Sequence, residues 1–331
     1  MPRLPRTPLR RSSRTRGNAA ARAPEPETAG AEIVEADGLR WINIERPRQA
    51  DRTWLDERFD FHPLDYEDIF SRNQRPKVDE YDGYLFVVLH FPVYDKRVNR
   101  LNATEIDIFV GPDYLVTIPN EPVPALEYLF ERCRRSEDAR AELFGRGAGF
   151  LLYTIVDRCV DASFPMLAKI GLKLERLEED IFEERNEEVI RDLSNAKQEI
   201  INFRKIVRPQ RVALRDLERT KRYVTGELDI YFDDINDASE RIWDMLENFK
   251  EVIEGLEATN ESVLSHRLND VLRFLTAFSV IFLPLTLIGT VFGMNVRVPG
   301  EGSLAAFWIV LGTMLVVLVG ILWVFRRRGY L

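Results

Sequence analysis

Two stretches without a single charged residue, 274–292 and 304–325, lie close together near the C-terminus. Each has roughly the 20 apolar residues that a helix needs to cross ~30 Å of hydrocarbon. In a bilayer core every backbone polar group must be satisfied internally, so the two runs can only become helices there, and their short separation makes them a membrane hairpin. Arg267 and Arg273 precede the first run and Arg326, Arg327 and Arg328 follow the second, whereas the connecting loop carries only Arg297 and Glu301. Positive charge gathers on the cytoplasmic side, so the expectation is a multi-pass plasma (inner) membrane protein with both termini in the cytoplasm. The stretch "GMNVRVPGEGS" is then external.

The mean hydropathy of the whole chain is nevertheless −0.22, and 30% of its 331 residues are charged, with a net charge of −8. Most of the protein is therefore expected in water. Residues 1–30 hold Arg3, Arg6, Arg10, Arg11, Arg14, Arg16 and Arg22 and no acid before Glu25, and read as a disordered basic arm. Between Ile33 and Val123 the runs "LRWINIE", "YLFVVLHFPVY", "ATEIDIFVG" and "YLVTIP" are rich in β-branched and aromatic residues and bounded by turn signals, which predicts strands of one sheet. The intervening "HPLDYEDIFSRNQRP" predicts a short helix stopped by Pro76. Beyond Pro124 long helices are expected over 125–144, 150–184 and 186–219. The fold class is thus α+β, a cytoplasmic α/β domain over 31–227 in which helices follow the sheet.

From about Leu228 the chain has no proline and only Gly255 as a breaker until it enters the first apolar run. One continuous helix to Phe292 would be on the order of 95 Å long. No single subunit of this size can bury such a helix, so an oligomeric stalk is expected over 228–270, leading into a membrane helix over 271–292. Asn269, Leu272, Thr276, Ser279, Leu283, Thr286 and Thr290 follow one another at alternating steps of three and four. That heptad seam gathers nearly all the polar residues of the first span on one face, which must meet protein or water. Hydroxyls bonding back to their own helix are the plainer alternative for any one of them. The second span, 304–325, has few polar groups and is expected towards lipid, followed by a basic tail over 326–331.

Gly293, Met294 and Asn295 close the first span. With "RLNDVLRFLTAFSVIFLPLTLIGTVFGMN", "QRPKVDEYDGYLFVVL" and "YLVTI", they make the chain resemble the CorA family of divalent-cation channels, whose signature is Gly-Met-Asn at the end of the first of two C-terminal spans. The resemblance covers about 33–331. It implies a funnel-shaped homopentamer in membrane lipid, with Gly293, Met294 and Asn295 as the selectivity filter of an external loop over 293–303. It also carries the family's pore-lining positions to Asn269, Leu272, Leu275, Leu283 and Thr286. Regulatory Mg²⁺ bound between neighbouring cytoplasmic domains is implied as well. Asp234 in "YFDDI" matches a family site, and the stalk acid of the family falls at Ala258, beside Glu257. Asp79 and Asp82 are further acidic candidates for the regulatory metal. Arg326, Arg327 and Arg328 resemble the family's C-terminal basic run.

The chemistry suits Mg²⁺ as cargo. This small ion dehydrates reluctantly, so a fast pathway should bind its water shell, and a ring of Asn295 amides offers carbonyl oxygens to that shell. Rings of Leu272, Leu275 and Leu283 would form an apolar constriction able to close by dewetting. Influx of Mg²⁺, with Co²⁺ and Ni²⁺ as further cargo, needs only the membrane potential. Two alternatives stand beside it. Arg297 occupies a place where Mg²⁺ members of the family often carry an acid, which leaves a zinc transporter of the same superfamily open; a non-conducting coiled-coil scaffold is the other. His62, His90, His266, Cys133 and Cys159 have no metal-ligand spacing, and no phosphate loop or nucleophile motif is present. Neither an enzyme nor a nucleic-acid partner is expected.

Overall fold

The structure is a computed structural model that describes residues 29–71, 74–95, 100–182, 186–220, 223, 227–294 and 303–327. The basic arm up to residue 28, Asn295, Arg297, Glu301 and Arg328 lie outside the described residues. The chain divides into two compact units: one holds the chain up to Leu89, Thr104–Ile155 and Asp216–Asp229, the other His90–Ala103, Val156–Arg215 and the chain from Ile230 onward.

The first unit is built on a six-stranded sheet. In chain order its elements are β1 (Glu32–Ala36), β2 (Leu39–Asn43), α1 (Gln49–Asp56), α2 (Pro63–Phe70), β3 (Lys77–Glu80), β4 (Leu85–Asp95), β5 (Arg100–Val110), β6 (Tyr114–Pro119), α3 (Pro124–Arg135) and α4 (Glu137–Phe144), with β4 and β5 running on into the second unit. The strand order is β1-β2-β6-β5-β4-β3, with β2 parallel to β6. Asp37 and Gly38 both take positive φ, the backbone that a two-residue hairpin turn between β1 and β2 demands. Alternation along the strands sends Phe86, Val88, Phe109, Val116 and Ile118 into one core with Leu55, Phe61, Tyr66 and Ile69. There Phe61 stacks on Phe109 with centroids 3.9 Å apart. Trp41, fully buried, meets Phe130 of α3 edge-on at 5.0 Å and donates its indole N–H to the Thr117 hydroxyl at 3.1 Å.

Several expected helices are cut. The run over 125–144 is two helices because Ser136 leaves helical geometry and its hydroxyl accepts the Ala139 N–H, starting α4 afresh. The run over 150–184 is α5 (Ala148–Asp161) and α6 (Phe164–Phe182). Pro165 explains the break: it is tolerated in a first turn but not in a helix interior. α2 ends at Phe70, short of Pro76, and α1, β1 and β3 were not anticipated.

The second unit holds the end of α5 from Val156, α6, α7 (Asn186–Arg219 but for its last turn), α8 (Asp229–Gly293) and α9 (Leu304–Arg327). α8, 65 residues long, is the single continuous helix that the sequence predicts. It runs antiparallel to α7, since partners rise along one helix as they fall along the other: Lys197 with Glu257 at 2.7 Å, Arg204 with Glu247 at 2.6 Å, and Arg211 and Arg215 with Glu240. The Arg204 and Arg211 guanidiniums flank the Trp243 ring at 5.2 and 4.9 Å from its centroid. Phe232, Ile235, Ile242, Leu246, Ile253 and Leu256 bury the upper face of α8. Pro284 lies within its apolar part and leaves the Val280 carbonyl without an amide donor.

Candidate functional site: the membrane end of the long helix

Among the described residues two helices are long and apolar enough to cross a membrane, α8 through its C-terminal part and α9. Asn269, Leu272, Leu275, Thr276, Ser279, Leu283, Thr286 and Thr290 all fall on α8, and all are exposed in the single chain. Leu283 is 70% exposed and Leu275 57%, values that an isolated apolar helix shows when its partners belong to other molecules or to lipid.

The hydroxyls on this stripe share one arrangement. Thr276 donates to the Leu272 carbonyl at 2.7 Å and Ser279 to the Leu275 carbonyl at 2.9 Å, while Thr286 donates to Phe282 and Thr290 to Thr286. A hydroxyl owns one hydrogen and two lone pairs. With the hydrogen committed to the helix, the oxygens can only accept from whatever lies beyond. The two sequence readings, back-bonding and a polar lane, are thus compatible. Acceptors suit a hydrated cation, whose shell turns its water hydrogens outward.

At its far end, Thr286, Gly289, Thr290, Gly293 and Met294 line a groove of about 830 Å³ together with Met314 of α9. At the opposite end of the span, Arg273 lies 3.9 Å from Asp270, and Arg327 stands over the Trp323 ring at 5.3 Å, next to Arg326. A basic side chain stacked on tryptophan is a typical anchor at a membrane–water boundary.

The acidic candidates on α8 are not brought together. Asp234 and Glu257 share α8 but lie about 35 Å apart along its axis. Asp234 is exposed. On α5, Asp157 is pushed above the usual carboxylate range by burial, with Asp161 and Asp234 adding repulsion. Glu257 is taken by Lys197, and Asp79 is held by Lys77 at 2.5 Å, which also grips Asp68 at 2.8 Å. Asp82 is exposed in the turn before β4. Among the described residues no three His, Cys, Asp or Glu side chains are placed to hold a metal ion. The arginine pairs on α7 were not singled out in the sequence. Their signal is there: Arg204 and Arg211 repeat at seven, as do Glu240 and Glu247.

Residues 36–327 match the family described as CorA-like Mg²⁺ transporter protein. The chain belongs to the CorA family. Among its relatives is the cobalt/magnesium transport protein CorA of Thermotoga maritima, 30% identical over 296 residues that cover 88% of this chain and 83% of the relative. A putative metal ion transporter of Bacillus subtilis, YfjQ, is 31% identical over 292 residues, covering 88% of this chain and 89% of that one. The complete structure of the CorA magnesium transporter from Methanocaldococcus jannaschii superposes with a TM-score of 0.79 at 23% identity, over 91% of this chain and 94% of that chain. The α/β domain, the long helix and the two C-terminal apolar helices are therefore the CorA fold.

Proposed function

We propose that this CorA protein is a channel for hydrated Mg²⁺, with Co²⁺ and Ni²⁺ as further cargo, and that it works as a homopentamer in the plasma membrane with both termini in the cytoplasm. The observation that carries this reading is the exposed stripe from Asn269 to Thr290, whose hydroxyls present only acceptors outward. Copies of that stripe around an axis would make a water-filled lane, with Leu272, Leu275 and Leu283 as its apolar constriction and Gly293, Met294 and Asn295 at its outer mouth. Influx is passive. Moving two charges inward gains about 4.6 kcal/mol per 100 mV of inside-negative potential.

Closure is assigned to cytoplasmic Mg²⁺ bound between subunits, with Asp234 the first candidate ligand. The hard cation takes oxygen ligands, and an exposed carboxylate at the start of the stalk is open to a neighbouring copy. The relatives named for cobalt and magnesium transport support the choice of cargo.

The test is uptake into liposomes holding the full-length protein and a fluorescent Mg²⁺ indicator. Mg²⁺ influx that grows with inside-negative potential and drops at least tenfold in Asn295→Ala is expected. Unchanged uptake in that variant would remove the filter role. Proton-dependent Zn²⁺ flux in place of Mg²⁺ flux would turn the reading to zinc transport, and no flux of either ion would leave a scaffold.

A further inference from the structure

Strand β5 carries a carboxylate where the core should be apolar. Glu105, Asp107 and Phe109 alternate onto one face, and Phe109 belongs to the central aromatic cluster. Asp107 stands opposite Ile118 of β6 in the register, is 1% exposed, and its Oδ1 has no hydrogen-bond partner among the described residues. Buried polar atoms nearly always find partners, so this one asks for an explanation.

The charged and titratable groups around Asp107 are predominantly of its own sign. From its own strand comes Glu105, whose carboxylate accepts the Gln74 N–H at 3.2 Å. From α2 come Asp65 and Asp68, and Asp65 already accepts the Tyr81 and Tyr84 hydroxyls at 2.8 and 2.6 Å. From β3 comes Lys77, which pulls the other way, and its ammonium is committed to Asp68 and Asp79. The nearby core side chains of β4 and β6, Phe86, Val88, Val116 and Ile118, are apolar.

An ionised Asp107 would therefore be a buried charge among further carboxylates, with Lys77, already held by two of them, as its counter-charge among the described residues. A metal does not resolve this, because the described acids do not gather into a ligand set. The remaining small cation is the proton. We infer that Asp107 is a proton-binding site built into the sheet unit, occupied at neutral pH, and that its emptying loosens the packing of α2 and β3 on the sheet. The electrostatics agree: burial, then Glu105 and Asp68, push the Asp107 carboxyl well above its usual range against the weaker pull of Lys77. A carboxyl whose folded-state affinity for protons exceeds its unfolded one stabilises the fold below the unfolded value. That stability is lost as pH rises through the folded one. The sheet unit should thus weaken towards alkaline pH. This is separate from what the channel conducts.

The test uses the detergent-solubilised full-length protein. Infrared spectra at neutral pH should show a protonated-carboxyl C=O band that Asp107→Asn removes, and the fall in Tm on raising the pH should flatten in that variant. A neutral-pH spectrum unchanged by Asp107→Asn would show Asp107 ionised and overturn the inference. Should that variant fail to fold, Asp107→Leu takes its place with the same two outcomes, loss of the band or an unchanged spectrum.

Discussion

The Lys197 ammonium lies 2.7 Å from the Glu257 carboxylate, joining α7 to α8 next to Ala258. The hydrogen bond to Glu257 also raises the lysine pKa, which favours the ammonium form. Any cation that engages Glu257 must first displace that ammonium. Lys197→Met should lower the internal Mg²⁺ concentration that halves uptake into liposomes by several-fold. No shift would place Glu257 outside the regulatory machinery.

The acceptor-only lane separates Thr286 from Thr313. Both hydroxyls donate to the carbonyl four residues back, but Thr286 lies on the α8 stripe and Thr313 on α9. Thr286→Val should reduce Mg²⁺ uptake several-fold, Thr286→Ser should restore most of it, and Thr313→Val should leave it unchanged. Equal effects at Thr286 and Thr313 would point to helix stability instead of ion passage.

In the sheet unit, the Tyr84 hydroxyl donates to Asp65 at 2.6 Å and accepts the His62 N–H at 2.7 Å, so it ties the start of α2 to the core. Tyr84→Phe strands both partners. A loss of about 1–3 kcal/mol is expected, the usual cost of an unsatisfied buried polar group. Denaturant unfolding of the solubilised protein measures it.

Acid should act on the arginine ladder. Burial alone would raise the Glu240 carboxyl, but hydrogen bonds from Arg215 and Arg211 outweigh it and bring it below its ordinary 4.5. Stability from a lowered acid is present above the unfolded value and lost as pH falls through the folded one. Glu240→Gln should therefore lower Tm at neutral pH, and the difference from the parent protein should shrink as the pH is taken below 4.5. A difference that persists in acid would mean that packing around Trp243, not charge, holds the helices.

How much of this was legible in the sequence differs by element. β6 was read residue for residue as "YLVTIP", and the stalk helix to within a residue at each end, because strong β propensity between turns and a long run without breakers leave little choice. β1 and β3 escaped notice because short, charged edge strands look like loops. The break at Ser136 needed the knowledge that its hydroxyl caps the next helix. The stripe from Asn269 to Thr290 is a matter of spacing alone and was visible. What the hydroxyl hydrogens do, and that Lys197 and Lys77 occupy Glu257 and Asp79, depends on partners far along the chain or on rotamers, which spacing does not encode.

The unbroken course of α8 makes it a lever. At about 95 Å, a tilt of about 1° at one end moves the other by about 1.7 Å, comparable to a water radius. From Trp243 to Leu283 the arm is about 60 Å, so the same tilt beside Trp243 would move Leu283 by about 1 Å with no element unfolding. Pro284 places a compliant joint in the shaft, between Leu283 and Thr286. A tilt of the segment before it need therefore not be passed on in full to the last turns, which end at Gly293.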